Sequence, residues 1–125
     1  MSAKIRTSRN LSQVVVQYDS GFQDGEVIET TPPILLRVTV TNKGASTLYA
    51  LVFDAATLPG DGAVPTIAPI AVPTGTTVSV HFNESSGQGF TGLAMTAGLA
   101  WCASTTAGTK TVDSTASLWL SARYT

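Results

Sequence analysis

The chain has 125 residues, one domain's length, enough to bury roughly two thirds of the surface its unfolded form would expose. Charged residues make up only 12% while 19 threonines and 12 serines supply a quarter of the sequence, so the surface is polar but weakly charged, which favours a chain whose surface is committed to neighbours. A formal net charge of −1 and a single cysteine argue against a general nucleic-acid partner and exclude an internal disulfide.

In chain order, residues 1–11 read as a basic N-terminal arm. Lys4, Arg6 and Arg9 stand there without an acid, leaving four bases against eight acids afterwards. Such a stretch is either a solvated tail or an arm that reaches an acidic neighbour. Exposed ion pairs contribute about 0.2–1 kcal/mol each, so arms would matter only as several attachments acting together. The arm lacks the apolar run of a secretory signal, and nowhere do eighteen apolar residues run together; a membrane partner is not expected.

Residues 12–125 are expected to form a single β-sandwich domain. Residues 13–18, QVVVQY, are a β-branched strand stopped by Asp19-Ser20-Gly21, and 21–29 read as loop. After Pro32-Pro33 a strand starts at Ile34, with Leu36, Val38 and Val40 on one face and Arg37, Thr39 and Thr41 on the other, as in a half-wet antiparallel strand. Past the turn at Asn42-Lys43-Gly44 the alternation fails. Leu48, Ala50 and Val52 occupy one face and Tyr49, Leu51 and Phe53 the other, so an antiparallel strand that should have a watery side has none. Either a second sheet or another subunit covers it.

Residues 55–68, with Pro-Gly-Asp-Gly inside, mark a long exposed excursion. A short strand at 70–72 and a half-exposed strand at 76–82 follow, then a Ser/Gly-rich loop at 83–92. The stretch 93–105 reads as strand despite its alanines, with room for a short helical turn near 94–97. Trp101 falls in phase with Leu99 and is expected in the core. In the closing strand, 116–124, Leu118, Leu120, Ala122 and Tyr124 alternate against Trp119, Ser121 and Arg123, so Trp119 faces the other side or a partner. Seven to eight short strands with turn signals between them define an all-β antiparallel sandwich, jelly-roll or immunoglobulin-like in topology.

Reaction chemistry is not legible. A Ser or Cys nucleophile needs a base within reach, and the one histidine, His81, sits mid-strand on the polar face. His81 and Cys102 lack zinc spacing, and Asp54 with Asp61 supplies too few oxygens for a calcium loop. Glu26 and Glu29 could suggest glycosidic acid and base work, but loop carboxylates are usually just solvated. Cys102, between Trp101 and Ala103, reads as a small apolar filler. The expectation is a protein that is not an enzyme and uses no cofactor or metal.

The pattern of Tyr49, Phe53-Asp54, Leu58-Pro59, Asp61-Gly62, Pro65, Ile70, Val72-Pro73, Phe90, Gly92-Leu93, Trp101 and Ser104-Thr105 resembles small virion proteins of tailed bacteriophages. The likeness spans residues 40–124 as a texture of turns and apolar positions, not a defined motif, and leaves out the arm. It implies a β-sandwich that decorates or cements the capsid, or sits on head or tail fibres, usually as a trimer. The expected function is then that of a noncatalytic capsid decoration or cement protein, assembled in the host cytoplasm and resident on the virion. Leu51, Phe53 or Trp119 would be buried around a homotrimer axis while Lys4, Arg6 and Arg9 reach the major capsid protein. The alternative is a carbohydrate- or receptor-binding module of a fibre or tail, with Trp119 or Tyr124 as sugar platform beside Asn and Asp groups.

Overall fold

The computed structural model describes the backbone of residues 3–10, 13–82 and 92–125, and within these the side chains from residue 15 onward. Ten strands occur among them: β1 (Ala3–Asn10), β2 (Gln13–Gln23), β3 (Gly25–Glu29), β4 (Ile34–Asn42), β5 (Leu48–Phe53), β6 (Ile70–Val72), β7 (Thr77–His81), β8 (Leu93–Ala94), β9 (Leu99–Ser104) and β10 (Leu118–Tyr124). They form two antiparallel sheets. The larger has six strands in the order β1-β2-β10-β4-β7, with β8 also on β4; the smaller runs β3-β9-β5-β6. The chain is an antiparallel β-sandwich, as its alternating patterns predict.

The core lies between the sheets, where each strand turns its apolar row inward. Val38 and Val40 of β4, Leu118 and Leu120 of β10, and Leu99 and Trp101 of β9 meet there, all 0–1% exposed. Trp101 is the largest of them and is fully buried, which at about 25 cal/mol per Å² makes it worth up to roughly 5 kcal/mol. At one margin Tyr18 of β2 and Tyr124 of β10 reach across from the larger sheet. Tyr18 donates its hydroxyl to Glu26 Oε1, and Tyr124 donates to Glu29 Oε2 at 3.0 Å, so both carboxylates of β3 are fastened to the opposite layer.

Four sequence expectations change. The stretch read as an arm, residues 1–11, runs over Ala3–Asn10 as the edge strand β1, paired with β2 from Ala3 opposite Asp19 to Asn10 opposite Gln13; the β-branched run of β2 offers a ladder to the side of β1 that faces it. The loop expected at 21–29 is strand on both sides of Asp24. Gly21, at φ 69°, makes a bulge and not a turn, so β10 pairs with β2 before and after it. Gly25 lets β3 close on β9: a Cβ there would stand 2.5 Å from the Trp101 carbonyl oxygen. Residues 93–105 divide into β8 and β9 around a non-helical bend at 96–97.

The fourth change concerns β5. Its doubled apolar pattern is real, but the chain covers both faces itself. Leu51 (0% exposed) and Phe53 (4%) form a second cluster with Ala100 and Cys102 on the outside of the smaller sheet, closed by Ala55 and Ala63 of the 55–68 excursion. That excursion is tied down by Thr66 N–H to Val52 O at 2.9 Å, Gly62 N–H to Lys110 O at 2.8 Å, Lys110 N–H to Ala63 O at 2.8 Å and Lys110 Nζ to Pro59 O at 2.5 Å. Leu51 and Phe53 are therefore not available to line a trimer axis.

Candidate functional site: the outer face of the six-stranded sheet

Along β10 the inward residues Leu118, Leu120, Ala122 and Tyr124 are buried, and Trp119, Ser121 and Arg123 face away from the core. Strand pairing then places the outward residues of four strands in rows. Phe22, Trp119, Thr41 and Thr77 form one row; Asp19, Ser121, Thr39 and Ser79 the next; Gln17, Arg123, Arg37 and His81 the third. Residues 19 and 22 would point to opposite faces of a regular strand. The bulge at Ser20-Gly21 returns Phe22 to the side of Asp19, and Ser20 Oγ accepts the Leu120 N–H at 2.9 Å inside the distortion.

The first row ends in an aromatic pair. Trp119 is 38% exposed, and its ring meets Phe22 edge-on, centroids 5.2 Å apart at 89°, a geometry that ring quadrupoles favour. The indole N–H donates to Asp19 Oδ1 at 2.7 Å, and Ser121 Oγ donates to the same oxygen at 2.5 Å. The ring thus has one fixed orientation on a rigid strand. The Lys43 ammonium lies 4.3 Å from the Phe22 centroid, a cation–π contact. Hydroxyl ladders continue the plane, Thr39 with Ser79 at 2.9 Å and Thr41 with Thr77 at 2.8 Å.

Charge is segregated. Among the described side chains Arg37, Lys43 and Arg123 lie on or beside this face, and Lys110 alone of the lysines and arginines lies elsewhere. Asp19 is the face's one described carboxylate, and it already accepts two hydrogen bonds. The remaining described acids serve other parts of the fold. Asp24 Oδ1 accepts the Ala116 N–H at 2.7 Å, Asp61 Oδ1 the Val112 N–H at 3.3 Å, and Asp113 Oδ2 the Thr115 hydroxyl at 2.6 Å. Asp54 accepts the backbone N–H groups of Thr96, Ala97 and Gly98 at 2.8, 2.7 and 3.2 Å, and these bonds hold its carboxyl down at about 2.

Of the residues singled out in the sequence, Trp119 belongs to this face. Leu51 and Phe53 do not, being buried beneath the 55–68 excursion. Tyr124, the alternative sugar platform, is 2% exposed in the core, its hydroxyl engaged by Glu29. Lys4, Arg6 and Arg9 have their backbone in β1, and their side chains lie outside the described residues. His81 joins the third row opposite Arg37. Cys102 is buried and its thiol pushed up to about 11 by that burial, in keeping with a filler role. Among the described residues no three of His, Cys, Asp and Glu converge in a metal-sized group, and no helix is long and apolar enough to cross a membrane.

Phe22, Asp19, Arg37 and Arg123 were not singled out by sequence reasoning. The outward parity of Arg37 and Arg123 was visible in each strand; that β4 and β10 are neighbours, with those two residues opposite one another, was not. Comparisons with family models, curated proteins and solved structures each return no match. The face carries an oriented indole, a field of hydroxyls and basic residues on or beside it, an arrangement suited to holding a polar ligand.

Proposed function

We propose that the chain is a noncatalytic recognition module of a virion fibre or tail that binds carbohydrate on the outer face of its six-stranded sheet. The observation that carries the reading is the oriented, exposed indole of Trp119, held by Asp19 and Phe22 in a plane of threonine and serine hydroxyls. A sugar ring presents apolar C–H groups on its face and hydroxyls around its rim. The first meets the negative face of the indole, and the second meets the ladder hydroxyls. Rigid strands keep both in register. The resemblance to small phage virion proteins supports the setting.

Binding of the labelled chain to an array of oligosaccharides tests this. We expect retention of a subset of glycans and its loss in Trp119→Ala, with the unfolding midpoint of that variant measured alongside. An array without a single bound glycan overturns the reading.

Capsid decoration is the second reading, and one observation favours it. Where β6 and β7 end their sheets, Ile67, Ile70, Val78, Val80 and Phe82 line an open apolar groove of about 310 Å³, a shape suited to a neighbouring subunit. A trimer in light scattering that Val80→Asp dissociates would support it; a monomer that leaves capsid shells unbound would remove it.

A further inference from the structure

Among the described residues the two sheets end on β1 and β7 and on β3 and β6. Three of these edges carry features that discourage further pairing. The sequence of β1 holds Lys4, Arg6 and Arg9, and its register shifts between Ser8 and Asn10. β3 holds Glu26 and Glu29 and shifts between Val27 and Glu29, and β6 is three residues long between Pro69 and Pro73. β7 has none of these. It runs opposite β4 without a shift from Thr77 to His81 and contains no Pro, Asp, Glu, Lys or Arg.

The far side of β7 is a ready ladder. The Phe82 N–H donates to Leu36 O at 2.8 Å and the Asn42 N–H to Thr76 O at 3.0 Å, so the even-numbered residues turn their backbone toward β4. Antiparallel pairing alternates, which turns the N–H and C=O groups of Thr77 and Ser79 the other way, where no strand meets them among the described residues. Beside that edge the core is unfinished. Val38 and Val40 are 1% and 0% exposed, yet Val80 and Val78 opposite them are only half-buried, and with Ile67, Ile70 and Phe82 they line the apolar groove of about 310 Å³. From this juxtaposition of an unguarded backbone edge and an apolar groove we infer that β7 takes an added strand: an extended segment of a partner protein, antiparallel to β7, whose aliphatic side chains at alternate positions fill the groove. The inference uses the groove of the second reading but rests on neither the carbohydrate nor the capsid setting.

Three features select this occupant. No charged side chain lines the groove, so a charged residue entering it would lose hydration without gaining a counter-ion, and aliphatic side chains would not. A second copy fits less well than a single strand. Joined at β7, its other layer would meet β6, where three residues between prolines leave little to pair. Area points the same way. A stable interface between two globular partners takes about 800 Å² and roughly 20–30 residues from each side, far more than a five-residue strand and its groove provide. For one extended segment, main-chain bonds supply the affinity and the groove selects alternate side chains.

A labelled peptide, Lys-Thr-Val-Thr-Val-Thr-Lys, titrated with the full chain and followed by fluorescence anisotropy, tests the proposal. In the antiparallel mode its threonine N–H groups face β7 and its valine N–H groups face water. We expect N-methylation of both valines to leave binding intact, and N-methylation of the threonines to weaken it at least about ten-fold. Ser79→Pro removes one outward N–H at an edge position where proline is tolerated, and Val80→Asp places a charge in the groove. Each should weaken binding by a similar factor, whereas Trp119→Ala should leave it unchanged. Thermal unfolding of each variant separates a lost contact from a lost fold. Equal binding of the two methylated peptides, a folded Ser79→Pro variant that binds like the parent, or an unmethylated peptide that does not bind overturns strand addition. Self-association of the chain that Val80→Asp reverses gives the groove to a second copy and overturns it as well. The carbohydrate reading stands or falls separately, on the glycan array.

Discussion

Asp54 shows how one side chain can be absorbed by structure. Sequence reasoning weighs it as an oxygen donor for a metal, yet its carboxylate is occupied by three backbone N–H groups and the Thr96 hydroxyl at the bend between β8 and β9. These bonds favour the charged form and lower the folded value from 3.8 to about 2. A folded value below the unfolded one means that the folded state binds fewer protons in that interval. The contribution to stability is complete above about pH 5 and is lost as pH falls through 4 toward 2. Acid titration of the unfolding midpoint should show this loss, and Asp54→Asn should flatten it. At neutral pH Asp54→Ala should cost about 0.5–2 kcal/mol, the range for removing a capping acceptor. Cys102 is the opposite case, a group silenced by burial. With its thiol raised to about 11, a thiol-specific reagent should leave the native protein unmodified and react fully once denaturant opens the sandwich.

At the scale of elements, the bulge in β2 and the excursion after β5 decide which surfaces are available. Gly21 holds φ 69°, a region that costs a β-branched residue about 1–2 kcal/mol or more. Gly21→Val should therefore loosen the seat of Phe22 and Asp19 against Trp119, read as a red shift of tryptophan emission while the far-UV spectrum of the sheets persists. The 55–68 excursion turns what looked like an interface into a second small core. Because Leu51 is covered by its own chain, Leu51→Ala should destabilise by about 2–5 kcal/mol. The unfolding midpoints of both proteins should be independent of protein concentration. A midpoint that rises with concentration in the parent and not in the variant would mean that a second subunit supplies the cover.

On the scale of the whole molecule, the two layers are joined by apolar packing and by two tyrosine–glutamate contacts at the β3 margin. Tyr18 is fully buried with its hydroxyl between Trp101 Nε1, 3.4 Å away, and Glu26. Tyr18→Phe leaves both without that partner and should cost about 1–3 kcal/mol, seen as a lower urea midpoint with an unchanged slope. The fold also sorts charge, since strand order sets Arg37 opposite Arg123 in one row and leaves most described carboxylates in loops or at the β3 margin. That sorting is invisible in a net charge of −1.

The sandwich itself was legible in the sequence. Period-two alternation in residues 34–42 and 118–124 reports burial on one side of a strand whatever its neighbours, so the inward and outward rows of β4 and β10, the core place of Trp101 and the outward turn of Trp119 followed from local pattern. Residues 3–10 and 25–29 were less readable because their strands rest on pairing partners and on close approaches at glycine, with little apolar alternation of their own. For the candidate site, the sequence supplied Trp119 and the parity of two arginines. Only the tertiary structure could make a surface of them, because adjacency of β2, β10, β4 and β7 is set by non-local ladders, and because a residue's apolar face reveals that it needs cover without revealing which part of the chain provides it.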